Sequence, residues 1–194
     1  MSKVILIICL FVSVSIWGQN QDTIYNKATE YLKANELQKA IRLYQFANDI
    51  HPRTELGQCA LEKVDSLRPI VRKRVTDKLI GNWKMADSES NWIIREDNLV
   101  AKMMTIDSEE IKFLELYKNS KEWTLIKTEK LRFLDKAGID LMYTEVVYSN
   151  KEIWDYTIDD DSGLLSISYT GEETDTGRTE MICGITRTNY FRLQ

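Results

Sequence analysis

Apolar residues follow one period in the first part of this 194-residue chain and another in the rest. From Gln19 to Thr76 they recur at helical spacing. Ile24, Ala28, Tyr31 and Leu32 stand at i, i+4, i+7 and i+8. Leu37, Ala40, Ile41, Tyr44 and Ala47 make a second stripe, and Leu56, Ala60, Val64 and Leu67 a third. Ala34-Asn35 reads as a tight helix–helix turn and Pro52 as the end of the second helix. Pro69 interrupts or kinks the third, after which Val71, Val75 and Leu79 carry the stripe onward. From Gly81 the period falls to two. Trp154, Tyr156 and Ile158 alternate with Asp155 and Thr157, and Leu165, Ile167 and Tyr169 alternate with Ser166 and Ser168. The Asp159-Asp160-Asp161-Ser162-Gly163 stretch between them is turn chemistry, so the two runs form a hairpin. Further strand-like runs lie near 81–86, 91–95, 98–105, 110–118, 121–128, 130–135, 140–149 and 179–193. With no long helix between them they predict an antiparallel barrel or sandwich, and the fold class is α+β.

The opening segment has a different pattern. Lys3 precedes an apolar run that starts at Val4 and is broken only by Ser13 and Ser15 before Trp17, with the small residue Gly18 behind it. That is the layout of a secretory signal peptide, and the run is shorter than the roughly 20 residues that span a bilayer. Ile8 is too large for lipid attachment at Cys9, so Cys9 is a passenger in the apolar run. The expected organisation is a signal peptide over 1–18, a helical arm over 19–78 and a strand-rich domain over 79–194. Such a protein is exported, periplasmic or secreted, through a bacterial type of secretion system, and keeps no stable membrane span after cleavage. Cys59 and Cys183 then remain, either bridged across the two halves or as two small buried hydrophobes.

Composition narrows the chemistry. Hydrophobic residues make up 43% and charged ones 29%, as in an ordinary globular protein. Residues 19–76 carry ten cations and seven anions; residues 77–194 carry fifteen and twenty-three. The formal charge of −4 speaks against nucleic acid as a partner. Attraction between the halves is screened within about 8 Å at physiological salt, so it does not hold them together alone. A single histidine, His51, and two cysteines outside the leader exclude structural zinc and multi-imidazole sites. The Asp159–Asp161 run fails as a calcium loop, because Gly163 and Thr170 stand where ligands belong. No Gly-rich phosphate loop and no acid–base set is visible. No catalytic residue, metal or cofactor is expected.

Two resemblances extend this reading. Ala28, Tyr31, Ala40, Tyr44, Ala47 and Pro52 resemble the small, aromatic and closing positions of a tetratricopeptide repeat, although Ile24 and Lys27 depart from it. One repeat and the helix after it fall short of the ~3 units such stacks need. The arm is therefore a structural cap or a docking element for an envelope protein, with Tyr31 and Tyr44 as candidate contact residues. Gly81-Asn82-Trp83 and Tyr190-Phe191-Arg192 resemble the ends of a lipocalin-like (calycin) β-barrel. That resemblance implies that Gly81 and Trp83 open the first strand. It also implies that Arg192, or failing it Arg187, lies on the Trp83 indole in a cation–π contact closing one end. The domain is short for a full lipocalin, so its interior is small or filled. Trp154, Tyr156, Ile167 and Tyr169 are candidate ligand contacts for an apolar small molecule, or else they simply pack a narrow barrel. The expected function is that of an exported, non-catalytic adaptor whose arm docks a partner protein. The alternative is a carrier of an apolar small molecule in the barrel.

Overall fold

The computed structural model describes residues 20–86, 98–135, 143–179 and 187–193. The leader, Cys9, Trp92, the strand-like run near 91–95 and Cys183, with its proposed bridge, lie outside those residues. Two compact units divide the chain between Val71 and Arg72.

The first unit is helical. Residues 20–33 form α1, Leu37–Ile50 form α2, and α3 spans Glu55–Leu79, running through Pro69 and on into the second unit. The α1–α2 turn is local chemistry. Asn35 takes φ +61°, its N–H donates to the Leu32 carbonyl, and the Glu36 N–H donates to Tyr31, a Schellman closure with Asn in the left-handed place. Thr54 caps α3 by accepting the Gly57 N–H at 3.0 Å. Ala28, Ala40, Ile41, Tyr44, Ala47, Ala60 and Val64 are buried, so the three apolar stripes meet. Among them sits a polar key. Gln21 is buried and donates to the Ala47 carbonyl at 2.8 Å, while its own oxygen accepts from the Thr54 hydroxyl at 3.1 Å.

The second unit is a curled antiparallel sheet with the last turns of α3 leading into it. Its strands are β1 (Gly81–Met85), β2 (Leu99–Ile106), β3 (Glu110–Tyr117), β4 (Thr124–Lys130), β5 (Val146–Val147), β6 (Glu152–Ile158), β7 (Leu165–Thr174), β8 (Gly177–Arg178) and β9 (Arg187–Arg192). Their order is β4-β3-β2-β1-β9-β7-β6-β5, with β8 paired to β7 alone. The last long strand thus joins two meanders by pairing with β1 on one side and β7 on the other. The core gathers Leu79, Trp83, Met104, Ile106, Ile111, Val146, Tyr156 and Leu165.

The expected closed barrel is not formed: the sheet is an open half-barrel. Among the described residues beyond β4, the runs near 130–135 and 140–149 yield a two-residue β5 and one isolated bridge, Phe133 to Val146. Beyond that bridge a side chain takes over from backbone pairing. The Ser149 N–H and hydroxyl donate to the Glu129 carboxylate at 2.7 and 3.0 Å. From there toward Thr124 the seam beside β4 is not laddered among the described residues. Arg72 braces the closed end from α3. Its guanidinium donates to the Tyr143 and Leu134 carbonyls at 2.9 and 2.6 Å and lies 5.4 Å from the Phe133 ring.

Candidate functional site

The half-barrel holds a cleft of about 320 Å³, with residues of β4 and β6 among its lining. Met85, Phe113, Tyr148, Trp154, Ile167 and Tyr190 supply its apolar and aromatic wall; Lys102, Glu115, Lys127 and Glu152 supply charged groups. Strand alternation places these side chains. On β6, Ile153 turns to a small separate cluster with Leu134 and Val147, while its neighbour Trp154 packs against the main core. An irregularity in the β6–β7 register falls between those same two residues.

The aromatic wall is a connected array. The Trp154 and Tyr148 rings stack with centroids 5.6 Å apart at 24°, and Phe113 meets Tyr148 edge-on at 5.9 Å. Tyr169 lies behind Trp154 at 5.5 Å, its hydroxyl donating to Glu172, and does not line the cleft. Tyr156 is deeper still. It is buried in the core, where its hydroxyl shares a hydrogen bond with that of Tyr148 and lies 4.0 Å from Met104 Sδ. Of the four candidate ligand contacts, the structure therefore brings Trp154 and Ile167 to the cleft and sets Tyr156 and Tyr169 beneath and behind it. Burial pushes the phenols of Tyr148 and Tyr156 well up, and that of Tyr190 up to about 12, so all three are neutral near pH 7.

The charged groups are largely matched within the site. Lys102 lies 3.2 Å from Glu115, and Lys127 lies 2.7 Å from Glu129. Lys127 Nζ also sits 4.7 Å from the Tyr148 centroid and 6.0 Å from that of Phe113. Glu129 itself is only 2% exposed. Burial pushes its carboxyl up, but hydrogen bonds from Lys127 and Ser149 together outweigh that and hold it below the usual glutamate range. The unfolded chain then binds a proton that the folded chain does not. The stability from this carboxylate is complete above the ordinary glutamate pKa of about 4.3 and is lost as pH falls through the lowered folded value. We expect urea midpoints to fall on acidification through that window, and the Glu129→Gln variant to lose this part of the slope. A variant with the wild-type pH profile would contradict the assignment.

The remaining candidate residues lie elsewhere. Gly81 takes φ +145°, and a Cβ there would contact the Arg192 guanidinium at 3.7 Å. The Arg192 guanidinium lies 4.6 Å from the Trp83 ring, with the two residues paired across β1 and β9. Both side chains also cap α3: Trp83 Nε1 donates to the Leu79 carbonyl at 2.7 Å, and Arg192 donates to that of Lys78. Arg187 instead points to Ser168. In the helical unit Tyr44 is 1% exposed, bonded to Thr29 at 2.9 Å and edge-on to Tyr25. Its ring belongs to the core of that unit and is not offered to a partner. Tyr31 is half-buried, with Lys27 and Lys39 ammonium groups each 5.3 Å from its ring.

Lys127, Glu129 and Tyr148 are not among the candidate contacts: Lys127 and Tyr148 fall inside the strand-like runs at 121–128 and 140–149 with nothing to set them apart, and Glu129 falls between two runs. The available signal was the i, i+2 placement of Lys127 and Glu129, which puts two opposite charges on one strand face. Among the described residues no group of three or more His, Cys, Asp or Glu side chains could hold a metal ion, and no helix is long and apolar enough to cross a membrane. No protein-family model, curated protein or solved structure matches the chain.

Proposed function

We propose that this is a non-catalytic binding protein whose half-barrel takes a small, largely apolar molecule in the cleft beside Trp154. The observation that carries this reading is the cleft: a concave space of about 320 Å³, walled by aromatic and aliphatic side chains and rimmed by a few charged groups. Ligand sites have that make-up, and this volume is at the small end of their range. The Gly81–Trp83–Arg192 arrangement fits a lipocalin-like ancestry for this unit, and export belongs to the same proposal. The mass of the mature chain tests export.

Titration with 1-decanol, followed by tryptophan fluorescence and calorimetry, tests the binding. We expect saturable one-to-one binding that Trp154→Ala weakens by about tenfold, the loss of one packed aromatic contact. Absence of saturable binding to decanol would reject the carrier reading.

The adaptor reading, in which the tetratricopeptide-like arm docks an envelope protein, draws its support from the half-buried Tyr31 and from Phe46, which is 46% exposed. It has less to build on now that Tyr44 lies inside the helical core. A small-molecule site needs only the groups already gathered in the cleft.

A further inference from the structure

The cleft already holds an ammonium group in its aromatic corner. Lys127 Nζ lies 4.7 Å from the centroid of Tyr148 and 6.0 Å from that of Phe113. Aromatic faces are electronegative, so this corner attracts a cation and repels an anion. The surrounding charges point the same way. Lys102 is matched by Glu115 and Lys127 by the buried Glu129. Glu152 also lines the cleft, accepts the Trp154 indole N–H at 3.1 Å, and forms no ion pair among the described residues. Among the described residues the two lining carboxylates balance the two lining ammonium groups, and Glu129, buried behind Lys127, adds a further negative charge at this corner. A ligand carboxylate at this corner would meet Glu129 and Glu152, whereas a ligand ammonium would be matched by them.

We propose that the cleft selects organic cations: an alkylammonium ligand sets its head group where Lys127 Nζ now lies, over Tyr148 and Phe113, with its apolar part against Met85, Ile167 and Tyr190. Lys127 stands on the edge strand β4 with its side chain 41% exposed, so it can leave for solvent as the ligand enters. Its ammonium is an internal stand-in for that of the ligand. This inference rests on the cleft being a ligand site and adds the class of ligand.

The test compares decylammonium, 1-decanol and decanoate, equal in chain length and different in charge, by calorimetry at neutral pH on the full chain. Decylammonium should bind about tenfold more tightly than decanol, with decanoate weakest. Lys127→Met should raise decylammonium affinity about fivefold by removing the competing ammonium, and Glu152→Gln should lower it about fivefold while leaving decanol unchanged. The Glu152 variant keeps its hydrogen bond to Trp154 through the amide oxygen, so it reads charge even if the Lys127 variant folds poorly. Tightest binding of decanoate, lost in Lys127→Met, would overturn the proposal by making Lys127 an anion anchor. Equal affinities for all three would overturn it while leaving the apolar-ligand reading intact. No binding of any of the three would remove both.

Discussion

Replacing Trp83 with alanine lowers unfolding free energy by about 3–5 kcal/mol, the range for truncating a buried Trp or Phe. Three separate losses combine at this position. The indole is 1% exposed in the main core of the half-barrel, so its removal leaves a cavity among Leu79, Met104 and their neighbours. Its N–H is the donor to the Leu79 carbonyl in the last turn of α3, which would lose its partner at a helix end. Arg192 would lose the ring beneath it and keep only its bond to the Lys78 carbonyl. Trp83→Phe separates these terms. It retains a ring for Arg192 and most of the apolar volume but not the donor, and should cost about 1–3 kcal/mol. Urea denaturation of the two variants checks both numbers; equal losses would mean that the N–H to Leu79 carries all of the effect.

Glu145→Ala should be comparably damaging, about 3–5 kcal/mol, for an electrostatic reason. Glu145 is 4% exposed and pairs with the Arg178 guanidinium, whose side chain is 12% exposed. Its other oxygen accepts the Thr170 hydroxyl at 2.7 Å, and Arg178 also donates to the Thr170 carbonyl at 2.8 Å. Next to them Gly171 takes φ +150° and passes so close to the chain that a Cβ would lie 2.1 Å from the Thr179 carbonyl oxygen. Removing the carboxylate therefore leaves a largely buried guanidinium without its counter-charge. Glu145→Leu combined with Arg178→Met removes both charges and should recover most of the loss, because the cost lies in the uncompensated charge rather than in the missing attraction. Thermal unfolding of the single and double variants tests this, and a double variant no more stable than Glu145→Ala would contradict it.

What could be read from the chain is what depends on period. Helical stripes ending near Leu79 and alternation beginning at Gly81 are local properties, and they give an α+β order in which helices precede an antiparallel sheet. Closure is not local. Whether β4 meets β5 depends on register across distant segments, and there a glutamate side chain substitutes for the backbone partner of Ser149. No period records that substitution. Depth is also invisible to alternation: Trp154 and Tyr156 share a face of β6, yet one borders the cleft and the other is sealed beneath it by Tyr148. Tyr44 shows the converse. Its place in the apolar stripe with Ala40, Ile41 and Ala47 marks it as core, and its burial leaves no room for the docking role that the repeat resemblance implies. Gln21 and Arg72 carry no period either; each is explained by the backbone carbonyls and side chains that the fold brings to it.

The two indoles with known partners provide an internal control for the binding claim. Trp154 Nε1 donates to Glu152 at the cleft, and Trp83 Nε1 donates to Leu79 away from it. In a ¹H–¹⁵N spectrum titrated with 1-decanol, the Trp154 indole resonance should shift progressively to saturation while that of Trp83 holds its position. Shifts shared by both indoles, or confined to Trp83, would contradict a ligand site in the half-barrel cleft.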